Sequence, residues 1–170
     1  MDQNIHTQQF HATEYEVTYH EISKPSKYPT VILIHGTGGN TEKHFSYIFP
    51  MLGTQQRVLS IDLVTPNKAP LSLEDFAQQV IDLIEHATQK NEQITLVGYS
   101  LGAVIAAKVA AILKQRVSQL VLLAGWAKTS SVQKLRNVIW QQLYQEKSET
   151  LAHFVNFCLY SDHYLSMRSE

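Results

Sequence analysis

A serine between two glycines constrains the fold of this chain more than any other stretch. Gly98, Ser100 and Gly102 lie between an apolar run at residues 94–97 and an alanine-rich run at residues 103–113. This pattern predicts a strand, a sharp turn and a helix. The two glycines carry no Cβ, so backbones can crowd together there and hold the serine hydroxyl clear of neighbouring side chains. A hydroxyl in that position is typical of a nucleophile.

Composition excludes several broad classes of protein. The chain has 170 residues, enough to bury a core without disulfide bonds. Hydrophobic residues make up 44% and charged residues 17%, which is usual for a globular domain and unusual for a disordered or fibrous chain. The net charge is -1, and lysines and arginines form nothing larger than isolated pairs, which argues against a nucleic-acid partner. We therefore expect a small-molecule substrate.

No segment of the sequence predicts secretion or membrane insertion. Residues 1–6 lack a basic region followed by an apolar one, as a secretory signal requires. The longest nearly apolar run, residues 101–113, is interrupted by Lys108 and is too short to span a bilayer. Cys158 is the single cysteine, so we interpret it as a core residue in a reducing compartment. These features predict a cytoplasmic protein without membrane partners.

Alternating strand and helix patterns predict a parallel α/β sheet with flanking helices. A weak alternation at residues 15–20 is typical of an edge strand half in water. Continuous apolar runs, typical of strands buried on both faces, occupy residues 30–34, 57–62, 94–97 and 120–124. Helices are predicted at residues 42–49, from a Ser72–Asp75 cap to residue 87, at 101–113, at 131–144 and at 148–160.

Two glycine-containing motifs follow buried strands in this order along the chain. The sequence His-Gly-Thr-Gly-Gly at residues 35–39 follows the first buried strand, and the serine turn follows the third. Together they resemble the α/β-hydrolase superfamily, in its serine-nucleophile, cap-containing branch, over residues 15–126. The resemblance implies a partial hydrolase fold: residues 1–127 would be the N-terminal part of the core and residues 128–170 a helical cap-like segment.

Backbone N–H groups near Ser100 are candidates for an oxyanion hole, in which each donor contributes about 3 kcal/mol. Leu101 supplies one at the start of the helix, where the helix dipole also favours negative charge. By resemblance, Thr37 supplies the other, with Gly38 the next candidate. The resemblance also gives His35 a structural role in this loop, and Gly36 would let the loop lie close to a ligand.

The sequence lacks a clear base for Ser100. A serine hydroxyl needs a histidine oriented by a carboxylate, and in the resembling family both follow two further strands. Beyond Ser100 the only histidines are His153 and His163, and the only aspartate is Asp162. Neighbours in sequence such as Asp162 and His163 rarely orient one another as a triad requires.

Three hypotheses follow for the function. In the first, the chain is part of a hydrolase of ester-type bonds in small apolar substrates, with little or no turnover by itself. In the second, residues 131–160 replace the missing half and make a binding module or pseudoenzyme. In the third, a partner chain supplies acid and base. Without further strands, residues 120–124 would form an exposed apolar sheet edge that favours self-association.

Dinucleotide binding is a competing interpretation. Gly36 and Gly38 follow a strand, and Asp62 ends the next one, where a ribose-binding acid would lie. The third glycine of that fingerprint is replaced by Thr41, and the serine turn is left unexplained. No P-loop lysine or metal-ligand spacing is present either, so we expect no cofactor and no metal.

Overall fold

A computed structural model describes residues 4–12, 15–65, 67 and 70–168. These residues form two compact units, one ending at Ala127 and one beginning at Lys128. The strands are β1 (Ile5–His11), β2 (Glu16–Ile22), β3 (Thr30–Ile34), β4 (Val58–Asp62), β5 (Ile94–Tyr99) and β6 (Val117–Leu123). The helices are α1 (Thr41–Phe45), α2 (Ile48–Gly53), α3 (Leu73–Ala87), α4 (Leu101–Leu113), α5 (Ser131–Gln145), α6 (Thr150–Leu159) and α7 (Asp162–Ser166).

The first unit is built on one mostly parallel sheet. Its strand order is β1-β2-β4-β3-β5-β6. β3, β4, β5 and β6 pair in parallel, whereas β2 runs antiparallel to both β1 and β4. Because parallel neighbours end at the same edge, the loops after β3, β4 and β5 lie side by side. The predicted α/β fold with a mostly parallel sheet is confirmed.

Alternate residues of the central strands enter two separate apolar cores, as the period of two in a strand requires. One core packs Ile32 and Ile34 of β3 against α3 and α4. The other packs Val31 and Leu33 of the same strand against Phe45 and the residues around α2. This explains why β3 is a continuous apolar run: every one of its residues is buried.

The predicted edge strand at residues 15–20 is wrong in its position in the sheet. The strand there, β2, has partners on both sides, and the edge is β1, which the sequence does not predict. β1 is almost entirely polar, and only Phe10 of its residues is buried. It is held by antiparallel backbone pairing with β2 along its whole length and by side-chain hydrogen bonds across the strands, such as Gln8 to Glu21 at 3.0 Å. Such pairs depend on register and leave no apolar pattern in the sequence.

The single helix predicted at residues 42–49 is also wrong, because two short helices, α1 and α2, occupy this region. Pro50 lies inside the first turn of α2. A backbone N–H in the first turn has no partner within the helix, so proline is tolerated there and does not end the helix.

β6 forms the second edge of the sheet and is exposed, so the expectation of a fourth buried strand is wrong. It pairs only with β5 among the described strands. Leu120, Val121, Leu122 and Leu123 are exposed to 40%, 40%, 48% and 41%. The exposed apolar edge is the arrangement that the sequence analysis expects for a sheet without further strands.

The second unit consists of helices α5, α6 and α7, and none of its described residues is buried. α5 begins with a capping box between Ser130 and Gln133. Cys158 is partly exposed, so the expectation of a core cysteine is wrong. Three short helices enclose too little volume to bury a side chain fully. In the described part of the chain, no helix is long and apolar enough to cross a membrane.

Candidate active site

Ser100 lies between the last residue of β5 and the first residue of α4, in a strained backbone conformation. Its φ is 55° and its ψ is -117°, a region that residues with a Cβ rarely adopt. Its N–H donates to the carbonyl oxygen of Leu123 at 2.8 Å, and its own carbonyl accepts from Ala103 at 3.0 Å. Its hydroxyl makes no capping bond to α4. The turn therefore presents a hydroxyl that the local structure leaves available.

The glycines on either side of the turn allow α4 to begin directly against the sheet. A Cβ at Gly102 would lie 2.6 Å from the carbonyl oxygen of His35 and closer still to that of Ile34. A Cβ at Gly98 would lie 2.6 Å from the Cα of Ala103. No side chain fits at either position. The start of α4 therefore lies against the end of β3, so the serine turn and the glycine loop, the two motifs predicted from the sequence, meet there.

His35 holds the loop after β3 in place. It is only 4% exposed. Its Nε2 accepts a hydrogen bond from the N–H of Leu63 at 2.9 Å, and its Nδ1 lies 2.8 Å from the carbonyl oxygen of Gly36. Because a backbone N–H can only donate, Nε2 is unprotonated and Nδ1 carries the proton. Burial lowers the pKa of His35, against the opposing effects of the Gly36 hydrogen bond and Asp62. A neutral ring with both nitrogens engaged supports a structural role.

Gly36 brings this loop into contact with the serine. A Cβ on Gly36 would lie 2.9 Å from the Cβ of Ser100 and 3.1 Å from the carbonyl oxygen of Tyr99. Thr37 and Gly38 follow at the exposed tip, where Gly38 has a φ of 66°. Thr37, the oxyanion donor expected from the sequence, thus directly follows the residue in contact with Ser100.

Asp62 anchors the far end of the same loop. Its Oδ1 accepts from the N–H and the hydroxyl of Thr41 at 2.7 and 2.6 Å, and its Oδ2 lies 3.1 Å from Nε2 of His20. Burial favours the neutral acid, but the hydrogen bonds from Thr41 and His20 outweigh it and hold the pKa of Asp62 below its ordinary value. Both oxygens of Asp62 are engaged in holding the loop and β2 together, which gives this carboxylate a structural role and weakens the support for dinucleotide binding.

A further anchor, His44, is not predicted from the sequence. The N–H of Gly36 donates to its Nδ1 at 3.1 Å. In the sequence, His44 is only a histidine shortly after the glycine loop, in a stretch predicted to be a short helix, and nothing marks it as an anchor. Long-range hydrogen bonds of this kind have no local pattern.

The described residues of the first unit supply no base for the serine. Among them, no titratable side chain makes a hydrogen bond to the Ser100 hydroxyl. His153 lies in α6 and His163 in α7, both in the second unit. No group of three or more potential metal ligands is found in the described part of the chain.

A cavity of about 330 Å³ lies beside the His20–Asp62 pair, lined also by Thr41, Phe49 and Pro50. Ser100 is not among its lining residues. The cavity therefore carries no information about what the serine would act on.

Comparison with known proteins identifies the fold. The family model described as the alpha/beta hydrolase fold matches residues 29–159. Pyrrolizixenacetamide deacetylase of Xenorhabdus hominickii is 26% identical over 150 residues, which cover 85% of this chain and 56% of that protein.

Solved structures give the same fold at low identity. A hydrolase from Pseudomonas aeruginosa superimposes with a TM-score of 0.74 at 18% identity, covering 96% of this chain and 62% of that one. A serine hydrolase from Cycloclasticus zankles, a degrader of polyaromatic hydrocarbons, superimposes with a TM-score of 0.71 at 21% identity, covering 90% and 57%. The chain thus spans a little over half the length of these relatives.

Proposed function

The chain belongs to the α/β-hydrolase family, and we propose that it acts on ester-type acyl groups with Ser100 as the nucleophile. The observation that carries this proposal is the contact between Gly36 and Ser100. A Cβ added at Gly36 would lie 2.9 Å from the Cβ of Ser100. It joins a strained serine turn to a glycine loop with exposed backbone. The residues from 128 onward are proposed to form the cap-like segment of this hydrolase.

The proposed reaction is nucleophilic acyl substitution. The Ser100 hydroxyl gives up its proton to water as its oxygen adds to the carbonyl carbon, and the carbonyl oxygen becomes an oxyanion that accepts from the N–H groups of Leu101 and Thr37. The first N–H groups of a helix lack partners within it, which favours Leu101 for this role. Collapse of the intermediate breaks the bond to the leaving group, which takes up a proton from water and departs as an alcohol or amine, and an acyl-serine remains for water to hydrolyse. Since no described side chain of the first unit acts as a base for Ser100, we expect little turnover from this chain alone.

A small apolar substrate is proposed for this site. The similar protein from Xenorhabdus hominickii is a deacetylase, which extends the proposed leaving groups from alcohols to amines. The oxyanion chemistry is the same for both, because the attacked group is a carbonyl in each case.

A fluorophosphonate probe tests the nucleophile. We expect slow labelling confined to Ser100, at about 10²-fold or more below a hydrolase with its base in place, because general-base catalysis contributes about 10²–10⁴-fold. Labelled peptides identified by mass spectrometry give the site and the rate. Ser100→Ala should abolish labelling. Ser118→Ala is the matched control and should be labelled at the rate of the unmodified chain. Ser118 is an exposed serine whose hydroxyl donates a hydrogen bond to the carbonyl oxygen of Ile94.

Two outcomes would count against these proposals. Equal labelling in Ser100→Ala would show that Ser100 is not the nucleophile. Rapid labelling of the unmodified chain would show that a base is present, and then the expectation of weak activity is wrong.

Self-association through β6 is a second proposal, supported by its exposed apolar edge. Pairing between two copies would cover Leu122, which is 48% exposed. A partner chain is also the proposed source of acid and base in the third hypothesis, which does not specify the interface.

Light scattering over a range of concentrations tests the proposal for β6. We expect larger species as concentration rises, and we expect Leu122→Lys to shift them to monomer, because a lysine on an edge strand opposes pairing. Ile112→Lys is the matched control, since Ile112 is 49% exposed but belongs to the helix α4, whose backbone cannot pair as an edge strand. A monomer at every concentration would exclude self-association at this edge.

A further inference from the structure

His44 contacts the proposed oxyanion loop on two sides. Its Nδ1 accepts the N–H of Gly36 at 3.1 Å. Its ring also packs against Gly39, where an added Cβ would come within 2.7 Å of Nε2 and closer still to two other ring atoms. The Tyr99 ring packs edge-on at a centroid distance of 5.1 Å and an interplanar angle of 82°. One imidazole thus touches the start of the loop, its end and the residue before Ser100.

The hydrogen bond to Gly36 fixes the state of this ring. A backbone N–H can only donate, so Nδ1 must be unprotonated and the single ring proton is on Nε2. Burial, His35 and Lys43 all lower the pKa of His44 and favour this neutral form. Protonation would replace the acceptor with a second donor and break the bond to Gly36. The titratable groups that face the ring are His35 from the loop, Lys43 from α1 and Tyr99 from β5.

The other side-chain contacts hold the residues that flank the loop. Leu63 donates to His35 before the loop, and Thr41 donates to Asp62 after it. Within the loop, one backbone hydrogen bond from Gly39 to Gly36 at 3.2 Å closes the turn. His44 is the side chain that contacts both Gly36 and Gly39, and Gly36 is the glycine in contact with Ser100. A shift of one ångström in an oxyanion donor is enough to weaken catalysis strongly.

We propose that His44 is a positioning residue, which holds the loop of residues 36–39 against Ser100 by accepting the Gly36 N–H and packing on Gly39. It does not touch the reacting atoms. The role of His44 in the reaction rests on the proposed nucleophile and oxyanion loop, whereas its effect on the position of the loop does not.

Two variants of His44 separate hydrogen bonding from packing. His44→Phe keeps an aromatic ring but has no acceptor, whereas the Oδ1 of His44→Asn takes the place of Nδ1. In His44→Phe we expect the Gly36 amide to exchange with solvent about tenfold faster, and the Ser100 labelling rate to fall by about tenfold, as loss of one hydrogen bond implies. His44→Asn should restore both values to within about threefold of the unmodified chain.

A pH titration supplies a readout that simple packing would not change. In the unmodified chain, the amide chemical shift of Gly36 should titrate with a midpoint below the ordinary histidine value of about 6.5. The step that shares its midpoint with the His44 ring protons should be absent in both variants, because neither carries a titrating group at this position, whereas a step from His35, whose Nδ1 contacts the Gly36 carbonyl, should remain.

Each result decides one question. Unchanged exchange and an unchanged Gly36 titration in His44→Phe would overturn the proposed role of His44, whatever the labelling rate. Failure of Ser100 to react in the unmodified chain would overturn the proposed nucleophile, while the exchange and shift measurements would still decide whether His44 positions the loop.

Discussion

Gly102→Ala is expected to lower the free energy of unfolding by about 3 kcal/mol or more. The added Cβ would lie 2.6 Å from the carbonyl oxygen of His35 and closer to that of Ile34. Both are backbone atoms at the end of β3, so no side-chain rotation relieves the clash, and α4 must move away from the sheet. The gain in helix propensity from glycine to alanine, about 1 kcal/mol, is too small to compensate.

Gly38→Ala is the matched control for this prediction. Its φ of 66° is unfavourable for alanine, but no atom lies within 4 Å of the added Cβ. Only backbone strain should therefore count, and we expect a loss of about 1 kcal/mol. Urea unfolding of both variants measures the difference. If Gly102→Ala is no less stable than Gly38→Ala, α4 does not approach β3 as closely as the structure shows.

Asp62→Ala is expected to lower the free energy of unfolding by about 3 kcal/mol, because hydrogen bonds to a charged carboxylate contribute about 1.5–3 kcal/mol each. The substitution removes the acceptor for the N–H and hydroxyl of Thr41, which is only 5% exposed. A buried N–H without an acceptor adds its own cost. Asp62→Asn is the control: it keeps an oxygen at the position of Oδ1 and should lose less than half as much.

The pH dependence of stability gives an independent test of Asp62. Its pKa is lower in the folded chain than the ordinary value of about 3.9. Its contribution is therefore fully present above about pH 4 and is lost as the pH falls through the lower folded value. Asp62→Ala should flatten this acid limb in urea unfolding measured across pH, and an unchanged limb would contradict the role of its charge.

His35 predicts a separate step in the same measurement. Its pKa is also lowered on folding, here because burial disfavours the charged ring. The stabilisation is complete above about pH 6.5 and is lost as the pH falls through the lower folded value. This step should persist in Asp62→Ala, which distinguishes the two groups.

Features that depend on neighbouring residues were predictable from the sequence. The Ser72–Asp75 capping box forms as expected, with hydrogen bonds of 2.8 and 3.3 Å. β3 and the turn at Ser100 were predictable because apolar runs and glycine positions act within a few residues. The edge strand was placed wrongly because the position of β2 in the sheet depends on β1, whose polar residues show no strand pattern.

The amino-acid pattern alone was enough to place a serine at a strained strand-to-helix turn and a glycine loop after an earlier strand, since both signals are local. The anchors of that loop arise only when the chain is packed. The bond from Leu63 to His35 joins residues 28 apart, and that from Thr41 to Asp62 joins residues 21 apart. Such bonds depend on strand order and register, which bring the ends of β3, β4 and β5 together, and His44 enters the site for the same reason.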